Sequence, residues 1–192
     1  MDLLLQCARN YEKLLDVAYN FTIARKGVVR EFTLTFQKMD FHHIAGLHKL
    51  RDIFDAQRGS REDLFTSVLN GKISQELIEK SEFYSDTISR LAPLCRLEEI
   101  LDSDQLIFKY NENVRVYSQI KSDYLLEGIA DDLTVYLFLG SRNENDERSQ
   151  MCRTFFPKTS IDYSLGQPRY TLLKKEKVRV SSGAMLLHYG RT

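Results

Sequence analysis

The chain has no tryptophan, only three prolines and only nine glycines in 192 residues. That scarcity excludes a flexible Pro/Gly-rich linker and any low-complexity spacer. No run approaches the roughly 20 consecutive apolar residues that a bilayer-spanning helix needs, so no membrane segment is expected. The opening MDLLLQC carries Asp2 where an export signal carries positive charge, and its three leucines are too short for an apolar h-region. Its Leu-Leu-Gln-Cys run fails as a lipoprotein cleavage site for the same reasons. Cys7, Cys95 and Cys152 are odd in number and far apart. They argue against a disulfide framework or a cysteine-rich zinc site and predict reduced thiols in a cytoplasmic protein. Also missing are a Gly-rich phosphate loop, a G-x-S-x-G elbow and an Asp/Glu pair at a recognisable spacing.

What is present is ordinary globular composition, 43% hydrophobic and 28% charged, long enough for one domain with a real core. Residues 3–18 space Leu4, Cys7, Tyr11, Leu14 and Ala18 as an amphipathic helix. Residues 19–24 and 28–36 flank Arg25-Lys26-Gly27, and Phe32, Leu34 and Phe36 alternate with polar neighbours, predicting a β-hairpin. Helical periodicity returns over residues 40–57, with Asp40 as N-cap, and again over 61–70, closed by Asn70-Gly71. A longer helix is predicted from about 74 to 91, stopping near Pro93, with one more turn over 97–101. After Asp104 the runs QLIFKY, VRVYSQI, DYLLEGI, LTVYLFLG, MCRTFFP and RYTLLKKEKVRV are short, aromatic and β-branched. The expected fold is therefore a single α+β domain over residues 1–192. It has N-terminal helices with a β-hairpin up to about residue 103, then a C-terminal antiparallel sheet of about four to six strands over 104–192.

Net charge is zero, 27 basic residues against 27 acidic, yet residues 148–192 hold nine Lys and Arg against only Asp162 and Glu176. This stretch is near +7 and the remainder near −7, the asymmetry that a polyanion-binding face requires. The plain alternative is a solvated strand face balanced by acidic helices.

Three of the four histidines, His42, His43 and His48, lie in FHHIAGLHKL. On a regular helix His43 shares a stripe with Leu47, Leu50 and Phe54, His48 borders it beside Ile44, and His42 lies toward the other edge with Gly46 and Lys49. An inward histidine near a cleft is an acid or base close to neutral pH, although a satisfied core histidine is the commoner case. Gly46 costs about 1 kcal/mol inside a helix, which points to close approach of another backbone or a ligand. The HExxH arrangement is absent and the histidine spacings give a poor bite, so neither metal nor cofactor is expected.

A second cluster, Arg153-Thr154-Phe155-Phe156-Pro157-Lys158, is followed by Tyr163 and by Gln167-Pro168-Arg169-Tyr170. RNA cleavage without metal needs a base for the 2′-hydroxyl proton, an acid for the leaving oxygen and a cation for the phosphorane. His43 or His48 would serve as base or acid and Arg153 or Lys174 as cation, while Phe156 and Tyr163 would stack a base. Lys49, Lys158 and Arg169 complete the candidate substrate contacts. The alternative here is a core pair of phenylalanines, a capped turn and solvated cations.

Together FHHIAGLHKL after a hairpin and TFFPKTSIDYSLGQPRYTLLKKEKV resemble a phage-associated nuclease family, the fourth of the barnase–EndoU–colicin–RelE-like group. The motifs stand at residues 43–50, at residues 155–157, and at Asp162, Tyr163 and Gln167, and the likeness runs over about residues 11–180. It implies N-terminal helices against an antiparallel sheet and metal-independent RNA cleavage leaving a cyclic phosphate. The setting it implies is a phage, toxin or defence one, with an antitoxin or immunity protein as a partner. His43 is then the first catalytic candidate, followed by His48, Arg153, Tyr163 and Gln167. A near-neutral chain fits a narrow substrate, such as one tRNA or a ribosome-bound message. Two other readings stand beside this one: a silent module binding nucleic acid or protein through the basic face, and another nucleotide-directed enzyme such as a transferase.

Overall fold

A computed structural model describes residues 2–114, 117–143 and 146–190. Its helices are α1 (Leu3–Glu12), α2 (Phe41–Ile44), α3 (Phe54–Gln57), α4 (Arg61–Leu69), α5 (Gln75–Ile78), α6 (Ser85–Leu94) and α7 (Leu97–Asp102). The strands are β1 (Val17–Arg25), β2 (Val28–Thr35), β3 (Leu106–Lys109), β4 (Tyr124–Ala130), β5 (Leu133–Ser141), β6 (Ser149–Pro157), β7 (Arg169–Arg179) and β8 (Met185–Gly190).

The sheet is not the open antiparallel one expected. Strand order is β1-β2-β6-β5-β4-β3-β7-β8, and β1 also pairs with β7. Seven strands thus close into a barrel, with β8 as an added strand. The barrel is mixed, because β2 and β6 run parallel through Thr33↔Ser149 and Leu34↔Gln150. The hairpin assigned to the helical half is what closes it. β1 pairs along β7 from Val17↔Arg179 to Ala24↔Thr171, which leaves no open edge between the first and last strands of the ring.

The hairpin itself forms as read. Lys26 (φ 49°) and Gly27 (φ 79°) both take positive φ, the conformation whose twist matches the flanking strands. Phe32 stacks on Tyr124 at 4.5 Å and on Phe21 at 4.9 Å. Since β2 and β4 are not neighbours, these rings meet across the barrel interior. That core continues through Leu34, Leu137 and Phe155 into the helices, where Tyr11, Phe41 and Phe65 pack together. Residues on β3 to β5 are apolar on both faces. Phe108, Leu125, Tyr136 and Phe138 form a second cluster, with Ile120, Phe156 and Tyr163 against it.

Several local expectations are corrected. The helix over residues 40–57 is broken at Gly46, which adopts φ 79°. The helix over 74–91 is split into α5 and α6, and α6 runs one residue past Pro93. Residues 117–120 form no strand, and Arg115 and Val116 of that run lie outside the described residues. Ile120 instead lies against the second aromatic cluster. Cys7 and Cys95, expected as free thiols, are joined as a disulfide with Cα atoms 4.3 Å apart. Packing of α1 on α6 brings them together across 88 residues of sequence.

Candidate active site

Gly46 creates the site by ending α2. A left-handed residue stops the helix after one turn and sends the chain into a 3-10 turn, Leu47–Lys49. His48 therefore folds back toward the pair before the break. The imidazole centroids are 4.7 Å apart for His43–His48, 5.3 Å for His42–His43 and 6.0 Å for His42–His48. The orientation read from an unbroken helix is overturned: His42 is the buried member, 8% exposed, while Phe54 is 66% exposed. His43 and His48 are half-buried.

Burial, with the neighbouring His43 second, pushes His42 down to about 4. The same two causes, then Arg90, push His48 down to about 4. His43 is lowered by burial and by Arg61, against the opposing charge of Asp40. Clustered imidazoles in a partly dry site resist a second positive charge, so they are neutral bases at pH 7.

Opposite the histidines stands Arg153 of β6. Its Nη2 donates to Ser141 O at 3.2 Å, and its guanidinium lies across Gly140, where any Cβ would overlap it. Arg153 stands where three cavities meet. One, about 370 Å³, is lined by His43, Asp40, Arg61, Arg142 and Cys152 besides Arg153. A second, about 760 Å³, is lined by His48, Lys49, Arg90, Phe156 and Tyr163 besides Arg153. The third, about 750 Å³, holds Lys109, Asn111, Lys121 and Ser141.

Of the candidates, then, His43, His48, Lys49, Arg153, Phe156 and Tyr163 converge. Lys49 is lowered by burial and by Arg90. One face of Phe156 is already taken, because the Arg90 guanidinium lies over it at 5.5 Å. Tyr163 meets Tyr136, Phe138 and Phe156 at steep angles. The remaining candidates lie elsewhere. Gln167 is buried, its Oε1 accepting from Asn111 N at 2.8 Å and its Nε2 donating to Asn111 O at 3.1 Å. Lys158 pairs with Asp162 at 2.7 Å and Lys174 with Glu176 at 2.8 Å. Arg169 lines a separate cavity with Asp104 and Tyr189.

Sequence reasoning missed Arg90, Arg61 and Arg142. Arg142 is held by Asp40, at 2.8 Å from Nη2 and 3.3 Å from Nη1. Arg90 had a readable signal: Thr87, Arg90, Leu91 and Leu94 form the buried stripe of α6, and an arginine on such a stripe needs a reason. Among the described residues no group of three His, Cys, Asp or Glu is placed to hold a metal ion. No helix there is long and apolar enough to cross a membrane.

No curated protein and no solved structure matches the chain. A family model described as phage-Barnase-EndoU-ColicinE5/D-RelE like nuclease4 matches residues 3–191. Its span takes in the hairpin, the histidine turn and every strand of the barrel. The chain therefore belongs to this nuclease family, of the barnase, EndoU, colicin and RelE type.

Proposed function

We propose that this nuclease is a metal-independent endoribonuclease. The observation that carries the reading is the meeting of His43 and His48, 4.7 Å apart, with Arg153 at the junction of the cavities they line. One neutral imidazole takes the 2′-hydroxyl proton as that oxygen attacks phosphorus. Arg153 holds the negative charge of the phosphorane. The other imidazole, protonated as the phosphodiester's charge offsets the burial that kept it neutral, donates to the departing 5′-oxygen. The products are a 2′,3′-cyclic phosphate and a free 5′-hydroxyl, with no metal in the balance. A single tRNA or a ribosome-bound message is the substrate proposed for so neutral a chain.

The test is incubation of wild type, His43→Ala, His48→Ala and Arg153→Ala with total RNA and a tRNA pool in EDTA, with the new 3′ ends identified. Wild type is expected to leave cyclic phosphates, and each histidine variant to lose about 100-fold or more in rate. Arg153→Ala is expected to lose more in rate than in RNA binding. Cleavage that survives loss of both histidines, or that EDTA abolishes, would overturn the mechanism.

A further inference from the structure

Arg90 is 6% exposed, and no carboxylate lies within 4.0 Å of its guanidinium among the described residues. Its bonds all go to neutral oxygens. Nη1 donates to Phe155 O at 2.9 Å and Thr154 Oγ1 at 3.4 Å, and Nε to Asp86 O at 3.3 Å. Among the described residues Nη2 finds no hydrogen-bond partner, and Arg90 lines the 760 Å³ cavity with His48, Lys49, Lys121 and Arg153. Asp86 lines the same cavity and opposes with its negative charge, yet burial still holds Arg90 below the usual arginine range.

A guanidinium taken out of water without a counter-ion is expensive, and buried cations are otherwise paired. Here four cations, Lys49, Arg90, Lys121 and Arg153, line the cavity against one carboxylate, Asp86. Both the guanidinium and the adjacent Lys49 ammonium are disfavoured by burial, and Lys49 is further disfavoured by Arg90 itself. What relieves all of these costs at once is an anion in the cavity. Arg90 is also fixed in place: the Phe156 ring lies beneath it, two backbone oxygens hold it, and Gly46 packs against its Cδ. A fork held rigid with one nitrogen free suits the tetrahedral oxygens of a phosphate.

We infer that the cavity at Arg90, Lys49 and His48 is a phosphate-binding site, with Arg90 as its anchor. In RNA this phosphate is one of the substrate backbone, held beside His48. That assignment rests on the ribonuclease reading, whereas the anion site does not.

The experiment is calorimetric titration of inorganic phosphate, at low ionic strength, into wild type, Arg90→Ala, Arg90→Lys and Arg58→Ala. Arg58 is exposed over Phe54 and controls for the loss of one charge. Arg90→Ala is expected to weaken phosphate binding about ten-fold or more, the size of a lost charge-assisted hydrogen bond. Arg90→Lys should fall between, and Arg58→Ala should match wild type. Melting curves accompany each variant. If Arg90→Ala does not fold, Arg90→Lys decides: weaker binding at wild-type melting supports the site, and unchanged binding overturns it. Equal losses in Arg90→Ala and Arg58→Ala, or no saturable binding to wild type, also overturn it. RNA assays on the same proteins separate the two proposals. Phosphate binding without cleavage keeps the site and removes the ribonuclease reading. Cleavage by wild type with Arg90→Ala unchanged in phosphate binding does the reverse.

Discussion

Replacing Gly46 with alanine tests the turn on which the histidines hang. Gly46 sits at φ 79°, ψ 11°, and an L-residue with a side chain in that region costs about 1–2 kcal/mol. A Cβ there would also stand 3.0 Å from Arg90 Cδ and 3.3 Å from Nε. Carbon atoms pack best at about 3.5–4.0 Å, so Arg90 would have to move. It is held by its 2.9 Å bond to Phe155 O and by Phe156 beneath it. Forcing an extra methyl into such packing costs about 1–3 kcal/mol. The total is about 2–5 kcal/mol.

Gly71 supplies the control. It has φ 70°, but nothing lies within 4 Å of a Cβ built on it. Gly71→Ala should therefore cost only the backbone component, about 1–2 kcal/mol. At about 2–4 °C per kcal/mol for a chain of this size, Gly71→Ala should melt about 2–8 °C below wild type and Gly46→Ala about 4–20 °C below. Thermal and urea unfolding of the three proteins measure this directly. Equal losses at the two positions would refute the packing argument. A Gly46→Ala protein that melts like wild type would refute the backbone argument as well. At a temperature where both variants are folded, only Gly46→Ala should lose cleavage, about 100-fold for a displacement near 1 Å.

Two further outcomes are expected. His42 and His48 lie at about 4 when folded, against an ordinary 6.5, so between those values the unfolded chain binds more protons. Their contribution to stability is complete above pH 6.5 and is lost as pH falls toward 4. The melting temperature should drop from pH 7 to pH 5, and drop less in His42→Phe; a profile identical in both proteins would contradict buried neutral imidazoles. Gln167→Ala should destabilise the protein by about 1–3 kcal/mol in urea unfolding, since it removes two hydrogen bonds to the Asn111 backbone, each contributing about 0.5–1.5 kcal/mol. Its cleavage rate below melting should stay at the wild-type value. A lost rate at unchanged stability would return Gln167 to the chemistry.

The elements with local causes were legible and those with distant causes were not. Lys26-Gly27 between alternating runs specifies the β1–β2 hairpin on its own. By contrast, closure of the barrel depends on β1 meeting β7 across most of the chain and on the two-residue parallel contact of β2 with β6. No sequence period encodes either pairing. β8, Met185–Gly190, is largely exposed and carries no apolar alternation to announce it. At the site, the clustering of histidines was readable, but their orientation was not. A helical wheel assumes an unbroken helix, and Gly46 breaks it between His43 and His48. Gly46 reads as permitting close approach of a backbone or ligand, whereas it takes a left-handed turn and meets a side chain, Arg90, more than forty residues away.

The basic stretch over residues 148–192 shows how far formal charge can mislead about a binding face. Lys175 is buried, and its ammonium donates to Leu101 O at 2.8 Å, to Ser103 O and to Gln105 Oε1 at 3.3 Å, closing the carbonyl end of α7. Lys177 pairs with Glu98 and Asp102 at 2.8 Å each, so these two lysines fasten α7 to β7. Lys158 and Lys174 already have carboxylate partners. Among the described cations of this stretch, only Arg153 lines the cavities of the candidate site. The other cations there, Lys49, Arg61, Arg90, Lys109, Lys121 and Arg142, come from the acidic remainder of the chain. Affinity for a polyanion scales with the number of cations it neutralises, and Lys158, Lys174, Lys175 and Lys177 are already engaged within the protein.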